Sequence, residues 1–387
     1  MNVVIAIDSL KGSLSSLEAG TAIRTGLLRA IPTAQAIVKP VADGGEGTTE
    51  ALVDAFGGKI ITKNVMGPYG QPVQAEYGWL PEQKMAVMEM ATAAGITLSK
   101  RREPLEATTY GVGEMICDAI DRGAREFIVG IGGSATNDGG IGMLSALGFR
   151  FLNKNGVKCG ITGGSLASID SVDLSHARPE LSECRFQIAC DVNNPLCGKT
   201  GCTYIFGPQK GVTEDIKEEL DMAMNQFADA TAKAVGKDHR DSSGAGAAGG
   251  LGFAFLSYLH GELKPGIELV LNALKLNDCV RYADLVVTGE GCLDSQTVFG
   301  KAPAGVASVA KKYGIPVIAL AGGIKPGAEI CNEKGIDAYF PIIPRVMTLE
   351  EAMDKKVARI NMEHMSEQVF RLIAVLRRET GKFGIRL

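Results

Sequence analysis

Short apolar runs that break off into glycine-rich loops and resume as helical patterns recur along this chain, and no other feature limits its fold so tightly. A strand that ends in glycines and feeds a helix is the repeating unit of α/β proteins. Residues 3–7 (VVIAI) lead into DSLKGSLSS and then a helical stretch over 17–29, for which Ser15 with Glu18 three residues later makes a capping box. Residues 36–41 lead into ADGGEGT and a helix over 50–56. Near the other end, residues 284–287 lead into TGEGCLDSQTVFGKAP, residues 315–320 into AGG, and residues 338–343 follow. These five strand candidates, all from the two ends of the chain, predict one parallel sheet.

The middle reads differently. Residues 59–65, 73–80 and 85–90 are separated by MGPYGQP and PEQ, which predicts an antiparallel meander. A helix over 107–122, a strand over 126–130, a strand over 186–189 and a helix over 213–235 follow. A length of 387 residues exceeds one ordinary core. The predicted fold is therefore α/β with two domains. A Rossmann-like parallel-sheet domain is formed by both termini (1–57 plus 283–387), and a second α/β domain with a mixed sheet is inserted at 58–282.

Composition removes several classes. Lys and Arg number 40 against 44 Asp and Glu, for a net charge of -4, so no basic footprint for nucleic acid exists. No apolar run reaches the ~18 residues of a membrane span. The first apolar run meets Asp8 too early for a signal peptide. Nine cysteines without a C-x-x-C pair, and four histidines at no ligand spacing, suit free thiols in a reducing cytoplasm.

Ligands of open α/β sheets sit where strand ends open into loops and helix N-termini, a place that favours anions. Five loops here have that position. GIGGSATNDGG (130–140) reads as an anion cradle in which Gly132 and Gly133 admit close backbone approach, Ser134 and Thr136 add hydroxyls, and Asp138 could hold a metal ion or a sugar hydroxyl. The bland alternative is a tight turn capped by Asn137 and Asp138. Ser9 and Lys11 follow the first strand, where the lysine either pairs with a phosphate or carboxylate or is simply solvated. Asp43 and Glu46 in VADGGEGT either complement a helix dipole or hold hydroxyls or Mg²⁺. Asp191 directly follows a buried-type strand, where a carboxylate is costly without a use, although an Asx turn with Asn193 would also explain it. Glu290, Asp294 and Lys301 share one strand-to-helix connection and suit a metal ion and a phosphoryl oxygen, or a surface ion pair. Two apparent motifs fail. GKT at 198–200 lacks the earlier glycine of a P-loop, and GAGAAGG at 244–250 follows the polar stretch VGKDHRDSS instead of the strand a dinucleotide fingerprint requires.

DSLKGSLSS, VADGGEGT, GIGGSATNDGG, DVNNPLCG, FGPQKG, GAGAAGGLG and TGEGCLDSQTVFGKAPAGVA, in this order, resemble the bacterial glycerate kinase family over nearly the whole chain. The resemblance implies two α/β domains with the site in the cleft between them. It also implies transfer of the γ-phosphoryl of ATP to D-glycerate with Mg²⁺, with 2-phosphoglycerate the favoured product. Cys292 stands where relatives often have arginine, so no cation is assigned there. On this basis Gly132, Gly133, Ser134 and Ala135 are expected to bind the nucleotide phosphates. Lys301 is expected to follow the γ-phosphoryl, Asp294 (with Asp138) to hold the metal, and Asp191 to act as base. Ser9 and Lys11 are expected to bind the substrate carboxylate, and Asp43 and Glu46 to read its hydroxyls. The implied partner is small-molecule glycerate, with no nucleic acid or membrane, and assembly into a homo-oligomer is left open. A kinase for another small hydroxy acid or sugar acid, or an NAD(P)-dependent oxidoreductase drawn from GAGAAGG, is the alternative.

Overall fold

A computed structural model describes residues 1–383 of the chain. Its strands are β1 (Asn2–Ile5), β2 (Gln35–Val38), β3 (Lys59–Met66), β4 (Pro72–Leu80), β5 (Met85–Glu89), β6 (Glu126–Gly130), β7 (Arg150–Leu152), β8 (Ser171–Asp173), β9 (Arg185–Ala189), β10 (Glu262–Lys264), β11 (Leu285–Leu293), β12 (Val317–Ile324) and β13 (Ala338–Pro341). The chain divides into two compact units, residues 1–55 with those from 267 onward, and residues 56–266.

In the first unit the five end-of-chain runs pair in parallel in the order β13-β12-β11-β1-β2. Val3 sits opposite both Leu285 and Ala36, so β1 is central. Such a strand is covered on both faces and needs an unbroken apolar run, and Ile5 and Ile7 are 0% exposed. Burying side chains of this size contributes about 1.5–3 kcal/mol each. Backbone bonds continue past β1, from Ala6 N–H to Val287 and from Asp8 N–H to Gly289, and carry Asp8 to the end of the ladder. The helix Ser16–Ala30 starts at the expected box: Ser15 Oγ accepts from Glu18 N–H and Glu18 accepts from Ser15 N–H. Its Ala19, Ile23 and Leu27 pack into the same core as Ile5 and Leu320. The winding of the sheet reverses between β1 and β11, and such a reversal opens a crevice at the strand ends.

The second unit holds a mixed sheet, β10-β9-β6-β5-β4-β3. It is parallel from β10 to β5 and antiparallel from β5 to β3, as the meander requires. Phe127 and Phe186 stack at 4.6 Å across β6 and β9 and anchor its core. β7 and β8 form a separate hairpin.

Three details differ from the sequence reading. β7, β8 and β10 are each three residues long, too short to show a period. The helix expected over 107–122 runs Tyr110–Asp121, because the N–H and hydroxyl of Thr109 both donate to Asp138 instead of continuing the helix. The second junction falls at 266/267 and not at 282/283. The helix Gly266–Ala273 explains this, since Ile267 lies so close to Gly305 that a Cβ there would come within 2.3 Å of it. Among the described residues no helix is long and apolar enough to cross a membrane.

Candidate active site

At the β1/β11 reversal the first unit carries a pocket of about 590 Å³. The loop after β1 contributes Asp8, Ser9 and Lys11, the loop after β2 contributes Asp43, and the end of β11 and its following loop contribute Glu290, Asp294 and Lys301. Lys301 Nζ donates to Glu290 Oε2 at 3.4 Å and lies 3.7 Å from Asp294 Oδ1. Thr297 organises the group: its hydroxyl donates to Glu290 Oε1 at 2.6 Å while accepting from the Asp294 N–H at 3.0 Å. Of the residues expected from the sequence, Ser9, Lys11, Asp43, Asp294 and Lys301 thus meet in one pocket. Glu46 is exposed and lies in an adjoining groove that Ser9 and Lys11 also line.

The pocket raises the affinity of Asp8 and Glu290 for protons. Asp8 is 5% exposed, and burial pushes its pKa up to about 7. The charges of Asp43 and Glu290 add to the rise, and the Ser9 N–H and Lys11 oppose it. Burial likewise moves Glu290 above the usual carboxylate range. Burial alone would lower Lys301, but the Glu290 and Asp294 carboxylates outweigh it and hold the ammonium charged. A buried carboxylate that titrates near neutrality beside fixed cations is the common signature of proton transfer.

In the second unit, Gly132 and Gly133 are exposed at the carboxyl end of β6. Among the described residues no acceptor takes their N–H groups or that of Ser134. A Cβ on Gly132 would meet nothing within 4 Å, so the protein's own packing does not demand a glycine there. Two expectations for this loop need correction. The N–H of Ala135 donates to the Ala94 carbonyl at 2.9 Å and cannot serve a phosphate. Asp138 is 0% exposed, and its oxygens accept from Thr109 N–H, Thr109 Oγ1, Gly140 N–H and Gly142 N–H. It caps the turn, and a fully buried carboxylate already holding four donors is built as a structural cap and not as an open metal ligand. Asp138→Ala should therefore lower stability by about 3 kcal/mol or more, at roughly 1–3 kcal/mol for each orphaned donor. Thermal unfolding with and without chelator would check this, and a loss that disappears once metal is removed would restore the ligand role.

Asp191 is exposed after β9, and its Oδ1 accepts from Gly266 N–H at 3.1 Å. It belongs to the second unit and does not line the pocket that holds Lys301 and Asp294. The glycines of GAGAAGG serve packing and not a nicotinamide nucleotide. Gly249 (φ +68°) lies where a Cβ would fall 2.1 Å from the Thr136 carbonyl, and its own carbonyl accepts from Gly139 N–H.

Sequence reasoning assigned no role to Asp8 or Lys210. For Asp8 the signal was present: it follows a buried strand as directly as Asp191 does. Lys210, in FGPQKG, is 2% exposed, and its ammonium donates to Ser134 Oγ and the Thr136 carbonyl, both at 2.7 Å.

Comparison with known proteins gives consistent results. The model of the glycerate kinase family matches residues 3–374. A Bacillus subtilis (strain 168) protein named glycerate kinase is 49% identical, covering 92% of this chain and 93% of its own. An Escherichia coli (strain K12) protein named glycerate 2-kinase is 44% identical, covering 98% of this chain and 100% of its own. A crystal structure from Salmonella typhimurium LT2 superposes with a TM-score of 0.90 at 43% identity, over 98% of this chain and 99% of that one.

Proposed function

The chain belongs to the glycerate kinase family, and from that premise we propose that it transfers the γ-phosphoryl of ATP to the 2-hydroxyl of D-glycerate. The observation that carries this reading is the convergence of Asp8, Lys11, Glu290, Asp294 and Lys301 on one pocket at the winding reversal. The E. coli relative's name favours the 2-position. Phosphoryl transfer requires positioning and charge neutralisation more than covalent chemistry, and this pocket supplies both.

Lys11, with the Ser9 hydroxyl, binds the glycerate carboxylate, and Asp43 reads a hydroxyl. Asp8 accepts the proton of the attacking 2-hydroxyl as that oxygen bonds to phosphorus and the β–γ bridging bond breaks, releasing ADP. We assign this proton to Asp8 and not to Asp191, because Asp8 is buried in the pocket that holds the lysines, whereas Asp191 is exposed and does not line it. Lys301 neutralises charge on the transferring phosphoryl group. The bare N–H groups of Gly132, Gly133 and Ser134 bind phosphate oxygens of the nucleotide.

Mg²⁺ fits this donor set. Among the described residues no three Asp, Glu, His or Cys side chains converge on a metal cage, but Mg²⁺ bound through phosphates and waters needs only one or two carboxylates. Asp294 would hold it, and the ion would supply neutralisation of phosphate charge.

The decisive experiment is incubation with MgATP and D-glycerate, with the product identified by ³¹P NMR. We expect 2-phosphoglycerate. Formation of 3-phosphoglycerate overturns the regiochemistry, and turnover of another hydroxy acid in preference to glycerate overturns the substrate.

A further inference from the structure

We propose that Lys210 is a positioning residue for the nucleotide, which turns the Ser134 hydroxyl outward as a donor and supplies a buried counter-charge beneath the phosphate-binding loop. This rests on the reading that residues 132–134 bind phosphate.

Two observations carry it. The first is the lysine itself. It lies in the short helical turn Pro208–Lys210, 2% exposed, and among the described residues it forms no ion pair. An ammonium removed from water without an opposite charge costs several kcal/mol, a cost that an arriving anion would offset. Its two bonds, to Ser134 Oγ and the Thr136 carbonyl, tie it to the loop and nowhere else. The titratable groups facing it are Asp138 and Cys202. Asp138 already accepts from four donors and stays out of hydrogen-bond contact with it. The second is the loop, where the unpaired N–H groups of Gly132 and Gly133 are exposed and the space over Gly132 is open.

The chemistry of the hydroxyl joins the two. Ser134 Oγ accepts from Lys210, so its own proton is free to donate outward. A neutral Lys210 would remove much of that polarisation. Burial lowers the lysine's pKa to about 8, while Cys202 and Asp138 act in the opposite direction. A bound anion favours the charged form, so affinity for the nucleotide should fall as pH rises through that value.

Calorimetric titration of the full chain with MgATP tests this. Lys210→Met should weaken binding by roughly ten- to a hundredfold, as for loss of a hydrogen bond to a charged group, and leave the KM for D-glycerate unchanged. The parent's affinity should fall between about pH 7 and about pH 9 as the lysine titrates, and the methionine variant should lose that dependence. Lys210→Arg, charged throughout, should bind with no such pH dependence. Ser134→Ala should weaken binding less than the methionine variant does. Unchanged affinity and pH profile in Lys210→Met overturn the proposal. Should that variant fail to fold, persistence of the parent's pH profile in Lys210→Arg overturns it instead. Gly132→Val separates the two readings, because it adds bulk only to open space. If it folds and binds MgATP normally, the loop is not the phosphate site and the premise itself falls.

Discussion

Asp8→Asn lowers kcat by about 10²–10⁴-fold, the range expected when a general base is lost, with a small change in the KM for D-glycerate. The amide keeps the shape and the Ser9 N–H contact at 2.6 Å but cannot take a proton. Stability should move the other way. In the unfolded chain Asp8 loses its proton near its ordinary value of 3.8, whereas in the fold it keeps it to about 7. Between those values the native state binds the extra proton, so its contribution to stability is full below about pH 4 and is lost as pH rises to about 7. The difference is on the order of 4 kcal/mol. Asp8→Asn, uncharged at every pH, should therefore unfold at a higher temperature than the parent at pH 8 and at a similar one at pH 4. A variant that is inactive but no more stable would mean the carboxylate is not held against its own ionisation. A variant with near-full turnover would remove Asp8 from the reaction. Asp191→Asn is the matched control, because that carboxylate is exposed and holds Gly266 N–H. It should turn over at close to the parent rate, and a collapse there instead would return the proton to Asp191.

Lys301→Met should reduce kcat by about 10²–10³-fold, comparable to removing one preorganised donor from a developing oxyanion. The ammonium is 3.4 Å from Glu290 and 3.7 Å from Asp294 and is the cation that those buried and half-buried carboxylates share. Without it Glu290 retains only the Thr297 hydroxyl, and its pKa should climb further above the usual range. Lys301→Arg should recover part of the rate, since charge is restored with different geometry. Steady-state kinetics with both substrates distinguishes the roles. If kcat holds and only the D-glycerate KM rises, Lys301 binds the acceptor and not the transferring group.

What the sequence made legible was local. A strand such as VVIAI announces itself through a continuous apolar run, and Ser15 with Glu18 announces a helix start, because both patterns complete themselves within a few residues. The link between Asp294 and Lys301 was legible for the same reason, as one loop carries them. Burial and long-range pairing were not. Two carboxylates, Asp8 and Asp191, follow buried strands in the same way, and only the fold makes one a pocket wall and the other a surface group. Asp138 looked like a ligand until Thr109, 29 positions earlier, took its oxygens. Ala135 lost its donor to Ala94, and Lys210 meets Ser134 across 76 positions. No spacing rule reaches that far. The second junction moved for a similar reason, since the residues that bind Gly266–Ala273 to the first unit lie beyond it in the chain.

The central place of β1 has a consequence for biosynthesis. Its edge partner β2 emerges soon after it, but the neighbour on its other side does not exist until the ribosome has read to Leu285, and Asn2 finds Asp284 only 282 positions later. At about 5–20 residues per second, that interval is on the order of 15 to 55 s. During it VVIAI keeps one edge without its β11 neighbour, while residues 56–266, a compact unit of their own, have all been made. The interior unit should mature first on the nascent chain, and the earliest-made segment should be among the last to find its place.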